Sequence, residues 1–193
     1  MSALNVKMLH LGYFLLLDKI DKGDGLKLLK EAKENGISTS IDLVSENSDR
    51  YSLVVPCLKF VDNLIINEVE AGKICGIDAC IEKLPEIAKT LKDMGVRERV
   101  IIHTPELGIC YSDNGISILH SYKLPDGYIQ GTTGAGDAFC AGALLGIYEG
   151  ASDMNILNMA TVAATGALST ADATSGVKTY VELQEICKNF KRK

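Results

Sequence analysis

Short apolar runs alternate with segments of helical periodicity in the first half of the chain. Four runs that are rich in apolar and β-branched residues predict buried strands, at residues 5–11, 37–43, 63–66 and 100–103. Between the first two runs, Leu26, Leu28, Leu29 and Ala32 have helical spacing, and Asn35-Gly36 ends that helix. A strand, a helix and a strand in this order form a βαβ unit, which predicts a parallel sheet with helices on both faces.

Further elements follow from periodicity and from turn residues. Two of the predicted helices contain a proline that would kink them, Pro56 in residues 51–60 and Pro85 in residues 78–93. The remaining predictions are a loop at 21–25, a hairpin over 108–120, a buried helix from Ala138 to Tyr148, a small-residue helix capped by Ser152 or Asp153, a loop at 170–178 and a last helix that opens with Thr179 and Glu182. The basic residues from Lys188 to Lys193 are expected to form a solvated helix end.

Composition narrows the class of protein. The chain has 193 residues, of which 47% are hydrophobic and 23% charged, and this suits one soluble globular domain spanning residues 1–193. A net charge of −5 argues against a nucleic-acid partner, and no apolar run approaches the roughly 20 residues that would cross a membrane. The six cysteines form no C-x-x-C pair, which indicates buried thiols in a reducing cytoplasm rather than a zinc site.

A glycine-rich turn before the buried helix is the first candidate site. It runs from Gly131 to Asp137, and the amides of a helix N-terminus together with glycine backbone favour an anion such as phosphate. The turn lacks the Lys-Ser/Thr of a Walker A loop, and the third glycine of a dinucleotide fingerprint would fall at Phe139. Asp137 has two readings at this stage, as a helix cap or as a base that takes a proton during phosphoryl transfer.

The second candidate site is the pattern Asn67-x-x-Glu70 after the third predicted strand. Its structural reading is a capping box, in which Asn67 is the N-cap and Glu70 the third helical residue. Its functional reading is a magnesium site, because Mg²⁺ prefers one or two carboxylates together with water and substrate phosphates. Asp42 also lies at the carboxyl end of a predicted strand, where α/β sheets bind ligands.

The residues from Thr133 to Phe139, followed by Ala141 and Gly142, resemble the C-terminal signature of the ribokinase/PfkB carbohydrate kinase family. The resemblance implies that Asp137 is the general base and that Gly134, Ala135 and Gly136 form an anion hole. It also implies that Asn67 and Glu70 act on Mg²⁺, and that Thr133, Gly108 and Asn158 contact ATP. Gly131 stands where ribokinase-like members often have an aspartate that helps to hold a monovalent cation, and Pro105 has no N–H to donate to a phosphate.

The expected fold is therefore a ribokinase-like α/β sandwich with a mostly parallel sheet and a C-terminal hairpin region. The resemblance covers only the C-terminal portion of the family, without its sugar-binding and lid segment, so an unpaired sheet edge would favour a homo-oligomer. The leading hypothesis is an ATP-dependent kinase that acts on a sugar or nucleoside hydroxyl, or a portion of one. The alternatives are a non-catalytic nucleotide-binding remnant and a Rossmann oxidoreductase. His10, His103 and His120 fall in predicted strands and are expected to be structural.

Overall fold

The computed structural model describes residues 5–45 and 49–193. Eight strands are present in this part of the chain: β1 (Met8–Phe14), β2 (Ser38–Leu43), β3 (Asn63–Asn67), β4 (Arg99–His103), β5 (Leu107–Ser112), β6 (Gly115–His120), β7 (Tyr122–Lys123) and β8 (Lys191–Arg192). Six α-helices accompany them: α1 (Gly25–Glu34), α2 (Glu68–Cys75), α3 (Leu84–Asp93), α4 (Ala135–Tyr148), α5 (Asp153–Ala167) and α6 (Tyr180–Cys187).

The main sheet has six strands in the order β1-β2-β3-β4-β5-β6, and it is mixed and mostly parallel. β2 pairs in parallel with both β1 and β3, and Met8 lies opposite Ser38. The two residues between β5 and β6 form the turn of the predicted hairpin, since a connection of that length joins antiparallel neighbours. The predicted α/β fold is confirmed. In the described part of the chain β1 has one sheet neighbour, β2, so it forms an edge of this sheet.

The first strand begins and ends later than its apolar pattern predicts. The backbone at Asn5 has φ of 49°, which places this residue in a turn rather than in a strand. β1 then continues through Gly12, where the pairing shifts between Leu11 and Phe14. Tyr13 has φ of 58° and Leu15 φ of 78°, and such values are rare for non-glycine residues. The predicted strand, 5–11, was therefore wrong by three residues at each end. The predicted end falls just before Gly12, but a glycine inside a strand often marks a bulge.

Three other local predictions were wrong in detail. The expected loop at 21–25 is a wide helical turn from Ile20 to Asp24, in which Gly23 has φ of 118°. Residues 50–60 form two short 3-10 segments, and Pro56 lies in the first turn of the second segment. Pro85 lies at the start of α3, which begins at Leu84, so it kinks nothing. Both prolines occupy a first turn, where a missing N–H leaves no helical bond unmade.

The chain divides into two compact units. The first unit comprises the chain up to Ile102 together with Ile109–Ile116, and the second comprises His103–Gly108 and Ser117–Lys193. A single domain over residues 1–193 therefore stays a prediction. In the first unit the core consists of fully buried aliphatic side chains on strands and helices, among them Leu29, Ile41, Leu64, Ile65, Leu84 and Ile101.

In the second unit, α4 and α5 pack closely because glycines face the contact. A Cβ on Gly142 would lie 2.6 Å from the carbonyl oxygen of Met159, and one on Gly146 would lie 3.1 Å from Cα of Ile156. The small-residue helix predicted from the sequence is α5, and these contacts show how closely it packs against α4. Gly166 packs against a different helix, because a Cβ added there would lie 2.5 Å from Cδ2 of Leu183 on α6.

The C-terminal residues differ from the prediction of a solvated helix end. α6 ends at Cys187, and Lys191–Arg192 form β8, which pairs antiparallel with β7. All six cysteines are free thiols, of which four are buried, Cys57, Cys110, Cys140 and Cys187. None of the described helices has the length and apolar character that crossing a membrane would require.

Candidate functional site

The glycine-rich turn enters α4 through a left-handed residue. Gly134 is the N-cap, with φ of 79° and ψ of −1°, and its carbonyl oxygen accepts the first helical hydrogen bond, from the amide of Ala138 at 2.8 Å. A Cβ at Gly134 would lie 2.6 Å from Cβ of Ala173 and 2.8 Å from its Cα. Glycine is therefore required here twice, by the backbone conformation and by the neighbouring loop.

Asp137 is the third residue of α4 and is exposed. The N-cap of this helix is Gly134, so the reading of Asp137 as the cap was wrong. The first-turn amides of a helix point beyond its N-terminus, where no intrahelical carbonyl can accept from them. The first turn of α4 therefore contains both backbone amides and the exposed Asp137, and the amide of Ala135 donates to the Thr132 carbonyl oxygen at a long 3.3 Å.

Gly108, a predicted nucleotide contact, is buried behind this turn. A Cβ at Gly108 would lie 3.2 Å from both Phe139 and Leu157. These neighbours account for a glycine without any ligand. The Phe139 ring also lies 4.8 Å from the ring of His103, measured between centroids, so the end of β4 packs against the start of α4.

The two other predicted nucleotide contacts differ in their surroundings. Thr133 is exposed and immediately precedes the cap Gly134. Asn158 lies on α5, where its Oδ1 accepts a hydrogen bond from Arg192 at 2.5 Å and its Nδ2 lies 3.5 Å from the Tyr180 hydroxyl. Gly108, Thr133, Asn158 and the glycine turn all belong to the second unit.

Asn67 and Glu70 belong to the first unit and form the predicted capping box. Asn67 Oδ1 accepts from the amide of Glu70 at 2.9 Å, and Glu70 Oε2 accepts from the amide of Asn67 at 3.1 Å. Ser45 joins the two side chains, since its hydroxyl accepts from Asn67 Nδ2 and donates to Glu70 Oε1, each at 2.8 Å. The structural reading is confirmed, and the role in magnesium binding stays a proposal.

Glu70 is buried, and its electrostatic surroundings are mixed. Burial raises the pKa of its carboxyl above the usual 4.5, the hydrogen bonds from Asn67 and Ser45 lower it, and the charge of Asp42 raises it again. The carboxylate of Asp42 is therefore close enough to act on Glu70. Two acidic groups at the ends of neighbouring strands repel each other, and a cation would relieve that repulsion.

The carboxylate of Asp42 contacts two residues of β1, Tyr13 and His10. Its Oδ1 accepts from the amide of Tyr13 at 2.6 Å, and its Oδ2 lies 3.6 Å from Nε2 of His10. The other ring nitrogen of His10 lies 2.9 Å from the hydroxyl of Ser40. The expectation that His10 is structural agrees with these contacts. The left-handed backbone of Tyr13 is the conformation in which its amide reaches Asp42.

Sequence reasoning placed Asp42 at a strand end but did not connect it with Glu70. The connection depends on the parallel register of β2 and β3, in which Ser40 lies opposite Asn63 and Ile41 opposite Leu64. The only signal in the sequence was that both acidic residues follow a predicted strand, and carboxyl ends of parallel strands share one edge of a sheet. Ser45 was missed, since it lies outside the predicted elements and no local pattern links it to Asn67 or Glu70.

A sequence model of the pfkB family of carbohydrate kinases matches residues 2–180 of this chain. The chain belongs to this PfkB family. No curated protein sequence gives a significant match.

Solved structures show the same fold. Ribokinase from Arabidopsis thaliana, complexed with ribose and ATP, is 20% identical with a TM-score of 0.73, and the match covers 89% of this chain and 53% of that one. Aminoimidazole riboside kinase from Salmonella enterica, complexed with aminoimidazole riboside and an ATP analogue, is 15% identical with a TM-score of 0.72, covering 93% and 63%. Ribokinase from Thermotoga maritima is 18% identical with a TM-score of 0.71, covering 95% and 57%.

The fold is thus ribokinase-like, as expected from the resemblance. The chain spans between 53% and 63% of the length of these three solved relatives. Identities of 15% to 20% establish the fold and not the substrate.

Proposed function

We propose that this PfkB-family chain is an ATP-dependent phosphotransferase, or a portion of one, that transfers phosphate to a hydroxyl of a sugar or nucleoside. Its cofactors would be ATP and Mg²⁺. Two of the solved relatives are complexed with ATP or its analogue and with a riboside or ribose, which supports the substrate class. The six free thiols suit a cytoplasmic setting.

The observation that carries the proposal is the position of Asp137. Its carboxylate is exposed in the first turn of α4, directly after a left-handed glycine cap. In that position it can accept the proton of an attacking hydroxyl. The amides of Gly134, Ala135 and Gly136 would donate to the negative charge that develops on the transferring phosphate, since a helix N-terminus carries partial positive charge. The amide of Ala135 would exchange its long bond to the Thr132 carbonyl oxygen, 3.3 Å, for one to the phosphate.

Mg²⁺ would be held by Asn67 and Glu70, with water between the ion and one or both side chains. The donor set fits a hard cation, because Glu70 is a carboxylate with lone pairs left after its two hydrogen bonds and Asp42 adds a second negative charge nearby. When bound, the ion would neutralise phosphate charge. Gly131 offers no side-chain ligand, so we expect no activation by potassium through that position.

The test measures ADP release from Mg-ATP against a panel of sugars and nucleosides. Substrate-dependent release should fall by about 10²- to 10⁴-fold in Asp137→Asn, because this change removes the base and little volume. Asp126→Asn is the matched control, since Asp126 is also exposed and lies in the loop ahead of the turn. Full turnover by Asp137→Asn would show that the carboxylate is not the base.

The second candidate is a nucleotide-binding protein without turnover. The observation that favours it is that the chain spans little more than half of the solved relatives. It predicts ATP binding that depends on the glycine turn, with no ADP release from any substrate in the panel. Binding measured by calorimetry alongside release separates the two candidates.

A further inference from the structure

The last four residues fold back across the second unit and are named the C-terminal strap (Phe190–Lys193). Its strand residues pair with β7, Tyr122 opposite Arg192 and Lys123 opposite Lys191. The Phe190 ring packs edge-on against Tyr128 at 5.2 Å between centroids. Lys193 ends the strap with an ion pair to Glu106 at 3.0 Å. These contacts fix the strap along its length.

Arg192 is the residue of the strap that reaches the predicted nucleotide contact. Its guanidinium lies 4.3 Å from the centroid of the Tyr122 ring, and its Nη1 donates to the carbonyl oxygen of His120 at 2.5 Å. Its Nη2 donates to Asn158 Oδ1 at 2.5 Å and to the Tyr122 hydroxyl at 3.2 Å. The guanidinium is thereby held in one plane and one orientation.

This contact decides which way round the Asn158 amide stands. Arginine can only donate hydrogen bonds, so the amide atom that faces it must be the oxygen. The NH₂ group of Asn158 is then directed elsewhere, and the neighbour within reach is the Tyr180 hydroxyl at a long 3.5 Å. A long bond of this kind is weak, which leaves the NH₂ group able to donate to a ligand.

We propose that Arg192 is a positioning residue for nucleotide binding, which fixes the amide of Asn158 so that its NH₂ group donates to an acceptor nitrogen of the purine base. The inference rests on the proposed function, and in particular on the contact between Asn158 and ATP that the family resemblance implies. Without Arg192 the amide could turn over, and its oxygen would then face an acceptor nitrogen and repel it. Arg192 therefore selects a base that presents an acceptor at this point.

The chemistry of the residue at position 192 gives a sharp test. Lysine, like arginine, only donates, so Arg192→Lys should keep the amide orientation and weaken ATP binding less than Arg192→Gln does, although it loses the contacts that only a guanidinium can make. Glutamine can donate or accept, so Arg192→Gln should leave the amide free to turn and weaken ATP binding by about 3- to 10-fold, the range for one neutral hydrogen bond. Lys191→Gln is the matched control, because Lys191 is an exposed residue of the same strand and its substitution removes the same charge.

The experiment is a titration with Mg-ATP on the full chain, followed by calorimetry, for each variant alone and in an Asn158→Ala background. If Arg192 acts through Asn158, Arg192→Gln should cause no further loss once Asn158 is alanine. Thermal melting of each variant reports its folding. If Arg192→Gln does not fold, the affinity of Arg192→Lys decides, and a loss as large as that of Asn158→Ala would count against the proposal.

Three other outcomes would overturn the inference in distinguishable ways. Unchanged affinity in Arg192→Gln would remove the role of Arg192 while leaving the proposed function intact. An equal loss in both backgrounds would mean that Arg192 acts without Asn158. Absence of ATP binding by the unchanged chain would refute the proposed function, and this inference with it.

Discussion

A change from Gly134 to alanine tests the structural basis of the glycine turn most directly. Gly134 has φ of 79°, and a Cβ there would lie 2.6 Å from Cβ of Ala173 and 2.8 Å from its Cα. Gly150, beyond the other end of α4, has φ of 70° with no atom within 4 Å of an added Cβ. The two glycines thus share the backbone conformation and differ in the space available, which makes Gly150→Ala the matched control.

The expected magnitudes follow from two separate terms. A left-handed conformation costs an L-residue about 1–2 kcal/mol, and this term applies to both variants. Overpacking costs about 1–3 kcal/mol, and it applies only at position 134, where the obstacle is backbone and cannot rotate away. Gly150→Ala should therefore lower the free energy of unfolding by about 1–2 kcal/mol, and Gly134→Ala by about 2–5 kcal/mol.

The loss of chain entropy that alanine causes in the unfolded state is the same for both variants, so it cancels in their difference. That difference, about 1–3 kcal/mol, is measured by urea unfolding with linear extrapolation. Equal losses in the two variants would refute the close approach of Ala173 to the turn. In an active chain, Gly134→Ala should also reduce turnover by about 10²-fold, since a shift of about 1 Å at a reacting group is enough for that.

Two further predictions concern ionisable groups. Burial raises the pKa of the Glu70 carboxyl above 4.5 in the folded protein. The contribution of the protonated carboxyl to the free energy of unfolding is therefore fully present below pH 4.5 and is lost as the pH rises through the pKa of the folded state. Glu70→Gln should abolish that decline in a series of urea titrations, and a decline of the same size in the variant would assign it to another group. Burial also raises the pKa of the Cys57 and Cys75 thiols to about 11, so iodoacetamide at pH 8 should label exposed Cys80 first, as peptide mass spectrometry would show. Faster labelling of Cys57 would contradict its burial.

Elements whose signals are local could be predicted from the sequence. The hairpin of β5 and β6 has its turn in the residues between the strands, and the caps of α5 and α6 at Ser152 and Thr179 lie within three residues of the groups they bind. β7 and β8 could not be predicted, because two-residue strands form only by pairing Tyr122 with Arg192. The basic residues Lys191 and Arg192 therefore form a strand rather than a solvated helix end, because their partner β7 is about 70 residues away in the sequence.

The same distinction applies to the candidate site. The capping box of Asn67 and Glu70 and the glycine cap at Gly134 were readable from spacing, because each bond closes within a few residues. Asp42 raises the pKa of Glu70 although the two residues are 28 positions apart in the sequence. Arg192 donates to Asn158 over a separation of 34 positions, so both contacts exist only in the folded chain. Bonds that close within a few residues could therefore be predicted from the sequence, whereas contacts between distant residues of the candidate site could not.

Local structural needs explain some of the site residues and leave others for which function is the better explanation. Gly108 is required by its packing against Phe139, and Asn67 by the N-terminus of α2, whether or not a ligand binds. The nearness of Asp42 to the buried Glu70 has no such structural explanation, because burial and the charge of Asp42 both raise the pKa of Glu70 and so disfavour the ionised carboxylate in the folded protein. Such an arrangement is expected where a cation or a phosphate-bound metal supplies the missing charge. The burial of Glu70 beside a second acidic group agrees with the magnesium proposal, and the capping motif alone does not require it.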